Sequence, residues 1–263
     1  MADVGRGFGV AAGLDSEVAG ELARLCEGLG YRSVWSNDHP GASGLETASA
    51  FHEAAPAVEV GVAVLALDRH DPDGIAAKAD EEGLDPGRLW VGIGAGFTKT
   101  PLGVVREGLA ELRKALPASA RIAVAAMGPK MSALAGAEAD GVFLNWMTPE
   151  RAAWARDRVR EGAEQAGRDR IPTIFGYVRV AVGEDASERL RKEESFYRQL
   201  HPGYINHFES LGAEEGTVGI AGRDADDVRE QLAAYDAIDH VVVRVLASAN
   251  IEALGRVAEA AAP

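Results

Sequence analysis

Cysteine is almost missing from this chain: Cys26 is its one thiol in 263 residues. A single thiol excludes a disulfide framework within the chain and points to a reducing, cytoplasmic setting. Lysine is scarce as well, at five of the 27 basic residues. No cluster of basic residues occurs, and the formal net charge is -14. Nucleic acids and anionic membranes are bound through concentrated positive charge, so neither is expected as a partner. No apolar run reaches the length of about 18 residues that a membrane-spanning helix needs. The opening Met1-Ala2-Asp3-Val4-Gly5-Arg6 lacks the apolar core of a secretory signal. Metal-ligand spacings are also lacking. His52-Glu53 is followed by Ala-Ala-Pro and not by a second histidine, so no metal is expected.

What the chain does contain is a repeated alternation. Short apolar runs at 7–11, 33–35, 58–67, 89–93, 121–126, 141–145, 173–182 and 239–246 read as strands. Runs such as 58–67 are apolar without alternation, as in strands covered on both faces. Between them helices start at recognisable caps: Asp15 or Ser16, Asp71-Pro72, Thr100-Pro101, Thr148-Pro149 and Asn250. The helix over 16–28 carries Val18, Leu22 and Leu25 on one face, and Cys26 falls inside that stripe as buried filler. Eight strand-helix units predict an α/β fold with a parallel sheet closed into a TIM (β/α)8 barrel, an open doubly wound sheet being the alternative. The length of 263 residues suits one such barrel, and no linker divides it, so 1–263 reads as a single domain. The interval between the seventh and eighth strands is about twice the others. Its extra helical segment, 188–210 with a break at His201-Pro202-Gly203, is expected to wall or cover the barrel mouth.

In such a barrel the chemistry gathers at the C-terminal ends of the strands. Ala126-Met127-Gly128-Pro129-Lys130 runs off the fifth strand into a helix start. Glycine lets a ligand approach the backbone, and the free N–H groups of the first turn form an anion receptor; Gly-Pro alone is also a good turn. Gly94-Ala95-Gly96 ends the fourth strand with little side-chain bulk, though not in the spacing of a dinucleotide loop. Asp38-His39 follows the second strand as a proton-handling pair; alternatively Asp38 caps a turn before Pro40 and His39 is surface. His70 makes the same positional claim after the third strand. Trp146, after Asn145, either stacks on a heteroaromatic ring or fills the core, whereas Trp154 has helical apolar spacing and reads as packing. Arg179 sits in an apolar run and either faces an anionic ligand or pairs with a carboxylate.

Together these motifs resemble the luciferase-like monooxygenase superfamily, in particular its coenzyme F-420-dependent oxidoreductases, over nearly the whole chain. Gly30-Tyr31-Arg32-Ser33-Val34-Trp35-Ser36-Asn37-Asp38-His39 is similar to the second-strand motif of that family. Leu84-Asp85-Pro86-Gly87-Arg88-Leu89-Trp90 with Gly92, Gly94, Gly96 and Phe97 resembles its fourth-strand signature. Gly128-Pro129-Lys130-Met131 with Ala135, Gly136, Asp140 and Gly141 resembles its phosphate loop and sixth strand. Residues 204–212 resemble its inserted helical segment. The resemblance implies hydride transfer between coenzyme F-420 and a small organic substrate, with phosphate at Gly128-Pro129 and the ring in the mouth. Asp38 and His39 would donate the proton and orient the substrate, and Asn145 and Trp146 would shape the ring site. A non-proline cis peptide at Ala63-Val64 is implied behind the ring. FMN is the alternative cofactor, in a reduced-FMN monooxygenase, and a non-catalytic flavin or deazaflavin carrier is the second alternative. Ala95 stands where members that oxidise a sugar phosphate carry an acid, which argues against that substrate class. Relatives pair through the second and third helices, and small residues there (Gly44, Thr47, Ala48, Gly74, Ala77, Ala79) lead us to expect a homodimer.

Overall fold

The computed structural model describes residues 4–263; the first three residues of the N-terminal stretch read above lie outside the described residues. In chain order the elements are β1 (Gly5–Ala11), α1 (Ser16–Gly28), β2 (Ser33–Asn37), α2 (Gly44–Ala54), β3 (Glu59–Ala66), α3 (Pro72–Glu81), β4 (Leu89–Gly94) and α4 (Pro101–Ala115). There follow β5 (Arg121–Ala126), α5 (Pro129–Glu138), β6 (Gly141–Asn145), α6 (Pro149–Gln165), β7 (Thr173–Val182), α7 (Ala186–Leu200) and α8 (Pro202–Leu211). The chain closes with β8 (Ile220–Gly222), α9 (Ala225–Ala233), β9 (His240–Val245) and α10 (Ile251–Ala260).

Strands β1 to β7 pair in parallel in sequence order, and β9 bonds both β7 and β1, so the sheet is a closed TIM barrel. The extra segment is present as the helix pair α7–α8, divided at His201. The three-residue β8 pairs only with β7 and lies outside the ring; its length gave no periodic signal to read. Two expected strands run further than their apolar pattern, β2 to Asn37 and β4 to Gly94, which brings both site segments directly onto strand ends. Of the expected caps, Asp71 accepts from the Gly74 N–H at 2.8 Å and Thr148 from the Arg151 N–H at 3.2 Å, whereas the Thr100 side chain makes no cap bond to α4. Each such cap contributes about 1 kcal/mol. Cys26 is fully buried on α1, as filler.

The barrel interior is aromatic. Trp35 meets Phe143 and Phe175 at ring-centroid distances of 4.8 and 5.0 Å, and Trp90 meets Phe175 at 4.8 Å. Room for these rings comes from glycine on the neighbouring strand: a Cβ at Gly61, the register partner of Trp35, would sit 2.3 Å from the Trp35 ring. At the N-terminal end of this interior, Trp35 Nε1 donates to Ser33 Oγ at 2.7 Å, and Ser33 Oγ lies 2.9 Å from His240 Nε2. The hydroxyl, while accepting from Trp35, still has its own proton to offer a neutral imidazole.

Burial pulls the His240 pKa down to about 4. The unfolded chain titrates this histidine near 6.5, so between there and about 4 the folded state binds fewer protons than the unfolded one. Stability contributed here is present above that window and is lost as pH falls through it. The slope is at most about 1.4 kcal/mol per pH unit. Urea midpoints between about pH 7 and 5 should fall less steeply in His240→Gln than in the parent chain; equal slopes would remove His240 from the acid response.

Candidate active site

The inward positions at the C-terminal strand ends form the floor of the mouth. Ala11, Asn37, Val64, Ala125, Asn145 and Arg244 are half-buried there, and Gly94 is buried. The peptide Ala63-Val64 is cis, and the Ala63 carbonyl accepts from Asn37 Nδ2 at 2.7 Å. The other amide atom, Asn37 Oδ1, is buried without a partner. A Cβ on Gly94 would come within 3.1 Å of Val64 Cγ2 and 3.7 Å of the Ala125 Cβ. Glycine thus keeps the surface over β3, β4 and β5 flat.

Gly96 has a local role of its own. Its φ is 66°, and a Cβ there would collide with Asp68, whose carboxylate accepts from the Phe97 N–H at 2.8 Å. Ala95, between the two glycines, packs toward the helical layer, and so does Ala126. On β5 the mouth is therefore faced by Ala125, one residue from the position expected, because alternate residues point to opposite faces.

Asp38 and His39 are adjacent in sequence but are not paired in space. The Asp38 carboxylate, 3% exposed, accepts from His70 Nε2 at 2.8 Å, Arg69 Nη2 at 2.7 Å and the Gly44 N–H at 3.0 Å. Its imidazole partner is thus His70, from the far end of β3, and its third bond caps the start of α2. His39 is exposed, with Nδ1 accepting from the Gly41 N–H at 3.2 Å and Nε2 lying 3.2 Å from the Ala12 carbonyl. An acceptor at Nδ1 and a carbonyl at Nε2 describe a neutral ring protonated on Nε2.

Gly128 is the N-cap of α5, Pro129 its first residue, and the Gly128 carbonyl accepts from the Ser132 N–H at 3.0 Å. A Cβ at Gly128 would meet nothing within 4 Å, and Pro129 and Lys130 are exposed. Behind this loop the space is small, a gap of about 10 Å³ among Met127, Asn145, Arg151 and His207. The loop's accessible face is its outer one.

Trp146 lies under the α7–α8 segment and not in the open mouth. It is 1% exposed, lies 5.1 and 5.2 Å from the rings of Tyr197 and Phe208, and its carbonyl accepts from His207 Nε2. Covered on those sides, its indole packs against the chain's own rings. Arg179 points inward, as its alternation in β7 requires. It donates to Asn145 Oδ1 and stacks 3.8 Å from the Trp146 centroid, so of the two sequence readings it is the carboxylate pairing that is missing among the described residues. Sequence reasoning passed over Arg244, although His240, Val242 and Arg244 alternate with Val241, Val243 and Val245 in the same manner. Of the small residues expected at a dimer face, Gly44, Thr47, Ala48 and Ala79 are buried within the chain, while Gly74 and Ala77 are exposed.

A cleft of about 600 Å³ opens at the ends of β1 and β9. Val10, Ala12, Leu246 and Leu254 line it together with Arg189, Lys192, Glu193 and Phe196 of α7 and Arg244 of β9. In an eight-strand ring β1 stands opposite β5, so the cleft faces the Gly128 side across the mouth.

Solved structures share this architecture over nearly their full lengths. A coenzyme F-420-dependent tetrahydromethanopterin reductase from Methanopyrus kandleri aligns with a TM-score of 0.74 at 17% identity, covering 98% of this chain and 97% of that one. An F-420-dependent secondary alcohol dehydrogenase, solved with an F-420-acetone adduct, gives 0.77 at 19% identity over 99% of both chains. The oxygenating constituent of 3,6-diketocamphane monooxygenase from Pseudomonas putida, in complex with FMN, gives 0.67 at 14% identity over 100% and 99%. At such identities the likeness speaks for the fold. The sequence model of the luciferase-like monooxygenases matches residues 6–116 and 112–261. With that match spanning the barrel from β1 to α10, the chain belongs to the luciferase-like monooxygenase family.

Proposed function

We propose that this member of the family is an oxidoreductase that transfers a hydride between coenzyme F-420 and a small organic substrate. The observation that carries the reading is the floor over β3, β4 and β5. Val64, Gly94 and Ala125 present nothing larger than valine, and Asn37 Oδ1 is a buried acceptor still lacking a donor. A flat tricycle with a ring N–H suits that surface, and the first-turn N–H groups of α5 behind Gly128 suit its phosphate. When bound, coenzyme F-420 supplies the two-electron hydride chemistry. FMN offers the same tricycle and phosphate, so reduced-FMN monooxygenation is the second reading of the same floor.

The chain's own groups then place and protonate. Asp38, held by Arg69, His70 and Gly44, ties the end of β2 to the end of β3 beside the cis peptide. His39 carries its proton on Nε2 next to Ala12, a residue of the cleft wall. To act as the acid the ring would first take a second proton on Nδ1, giving up the Gly41 N–H; the imidazolium would then pass its Nε2 proton to a substrate oxygen and return to neutral.

Parallel fluorescence titrations with F-420 and FMN test the cofactor. Tighter F-420 binding is expected; micromolar FMN binding with no deazaflavin binding would turn the assignment to a monooxygenase. In His39→Ala the F-420 affinity should persist while turnover of a panel of small alcohols and ketones drops by about 10²-fold or more, the scale of general acid-base catalysis. Undiminished turnover across the panel would take the proton transfer away from His39.

A further inference from the structure

Arg179 on β7 and Arg244 on β9 are register partners on neighbouring strands. Both are inward-facing at the barrel mouth, and like charges set opposite one another repel. Among the described residues no carboxylate is in contact with either; the one whose charge reaches Arg179 is Glu193 of α7. Arg179, 2% exposed, spends one N–H on the neutral amide of Asn145 and leaves Nε buried without a partner. Arg244 donates one N–H to the Val245 carbonyl. Among the described residues neither forms an ion pair with a carboxylate. The Tyr177 hydroxyl, on the same inward face of β7, is also buried and unpartnered.

The cleft of about 600 Å³ opens on this pair. Arg244 lines it, with Arg189 and Lys192 from α7, against Glu193 as the single acidic side chain of the lining. Arg189 is committed to the carbonyls of Val182 and Leu246 and to Asp185, which leaves Arg244 and Lys192 as the cations available to a guest. A chain of net charge -14 that concentrates positive charge at one apolar-walled opening is arranged to attract an anion. The glycine loop that suits a cofactor phosphate stands across the mouth, at the end of β5, so this second anion site belongs to a different molecule.

We propose that Arg244, backed by Arg179, binds the carboxylate of the substrate, and that the substrate of this enzyme is a small organic acid whose apolar part lies along Val10, Ala12 and Leu246. That the acid is oxidised or reduced rests on the hydride-transfer reading above; that it binds here does not.

Calorimetric titration of the full chain with hexanoate and with hexanamide, its uncharged counterpart, separates charge from shape. Hexanoate should bind about 30-fold more tightly, the scale of a charge-assisted hydrogen bond. Arg244→Gln should abolish that preference, Arg244→Lys should restore part of it, and neither should move the F-420 affinity beyond about threefold. Equal binding of acid and amide by the parent chain, or a preference that survives Arg244→Gln, would overturn the proposal. A parallel fall in F-420 affinity would assign the anion to the cofactor and overturn the substrate class. Should the parent chain bind neither F-420 nor FMN yet still select hexanoate, the hydride-transfer reading fails while the acid site stands.

Discussion

Replacing Glu194 with alanine should lower the melting temperature by roughly 10 °C and release the α7–α8 segment before the barrel itself unfolds. Glu194 is fully buried on α7. One carboxylate oxygen accepts from Arg198, at 2.8 Å from Nε and 2.6 Å from Nη2. The other accepts from the Gly216 and Val218 N–H groups, each at 3.0 Å. The side chain thereby ties the helix to the loop that returns to β8. Truncation leaves two backbone donors and a guanidinium without their acceptor. Removing one partner of a buried ion pair typically costs about 3–5 kcal/mol. In a domain of this size each kcal/mol corresponds to about 2–4 °C. Glu194→Gln, which keeps an acceptor but loses the charge, should fall between. Limited proteolysis would show new cleavage between residues 183 and 219, and Trp146 emission would shift as Tyr197 and Phe208 leave the indole. An unaltered melt with no new cleavage would mean that the segment is held by its apolar cluster alone.

Gly136→Val should cost about 3 kcal/mol, at the upper end of overpacking. A Cβ at Gly136 would stand 2.1 Å from the Val159 carbonyl oxygen, and one at Gly162 would stand 2.1 Å from that of Ala133. Helices α5 and α6 thus cross backbone against backbone, and main-chain atoms cannot swing aside as a side chain would. Relief requires α5 to move, and α5 begins at Pro129, next to the loop proposed to take the phosphate. Loss of stability should therefore be accompanied by loss of F-420 affinity. Gly103→Ala on α4 is the control, because its Cβ meets nothing within 4 Å. It should leave stability unchanged or raise it by about 0.5–1 kcal/mol through reduced freedom of the unfolded chain. A Gly136→Val chain as stable as the parent would show that the crossing can open without cost.

The sequence marks segments of the candidate site, and the structure decides which of their side chains meet. Gly94 was found because glycine at a strand end signals a close approach, and the structure gives that approach an address beside Val64 and Ala125. Gly136 was noticed only as part of a motif; its purpose lies in α6, some 25 residues later, where no local pattern reaches. Asp38 was singled out by position, yet its partners Arg69 and His70 are 31 and 32 residues away. Reading it with His39 followed the chain, whereas the carboxylate follows the sheet. Trp146 illustrates the same gap: its place after β6 was clear, but α7 and α8 decide that it is covered.

From the sequence by itself came the number of barrel strands, most of the helix caps, the inserted helices and the small residues at the strand ends. These follow from hydrogen bonds within a few residues and from periodicities of 2 and 3.6, so a short window contains their cause. Closure of the barrel decided the rest. It set Arg179 beside Arg244, gave Asp38 to His70 in place of His39, and opened the cleft at β1 and β9. Each of these joins segments distant in the chain, and their contacts exist only once parallel strands have adopted a common register around the ring.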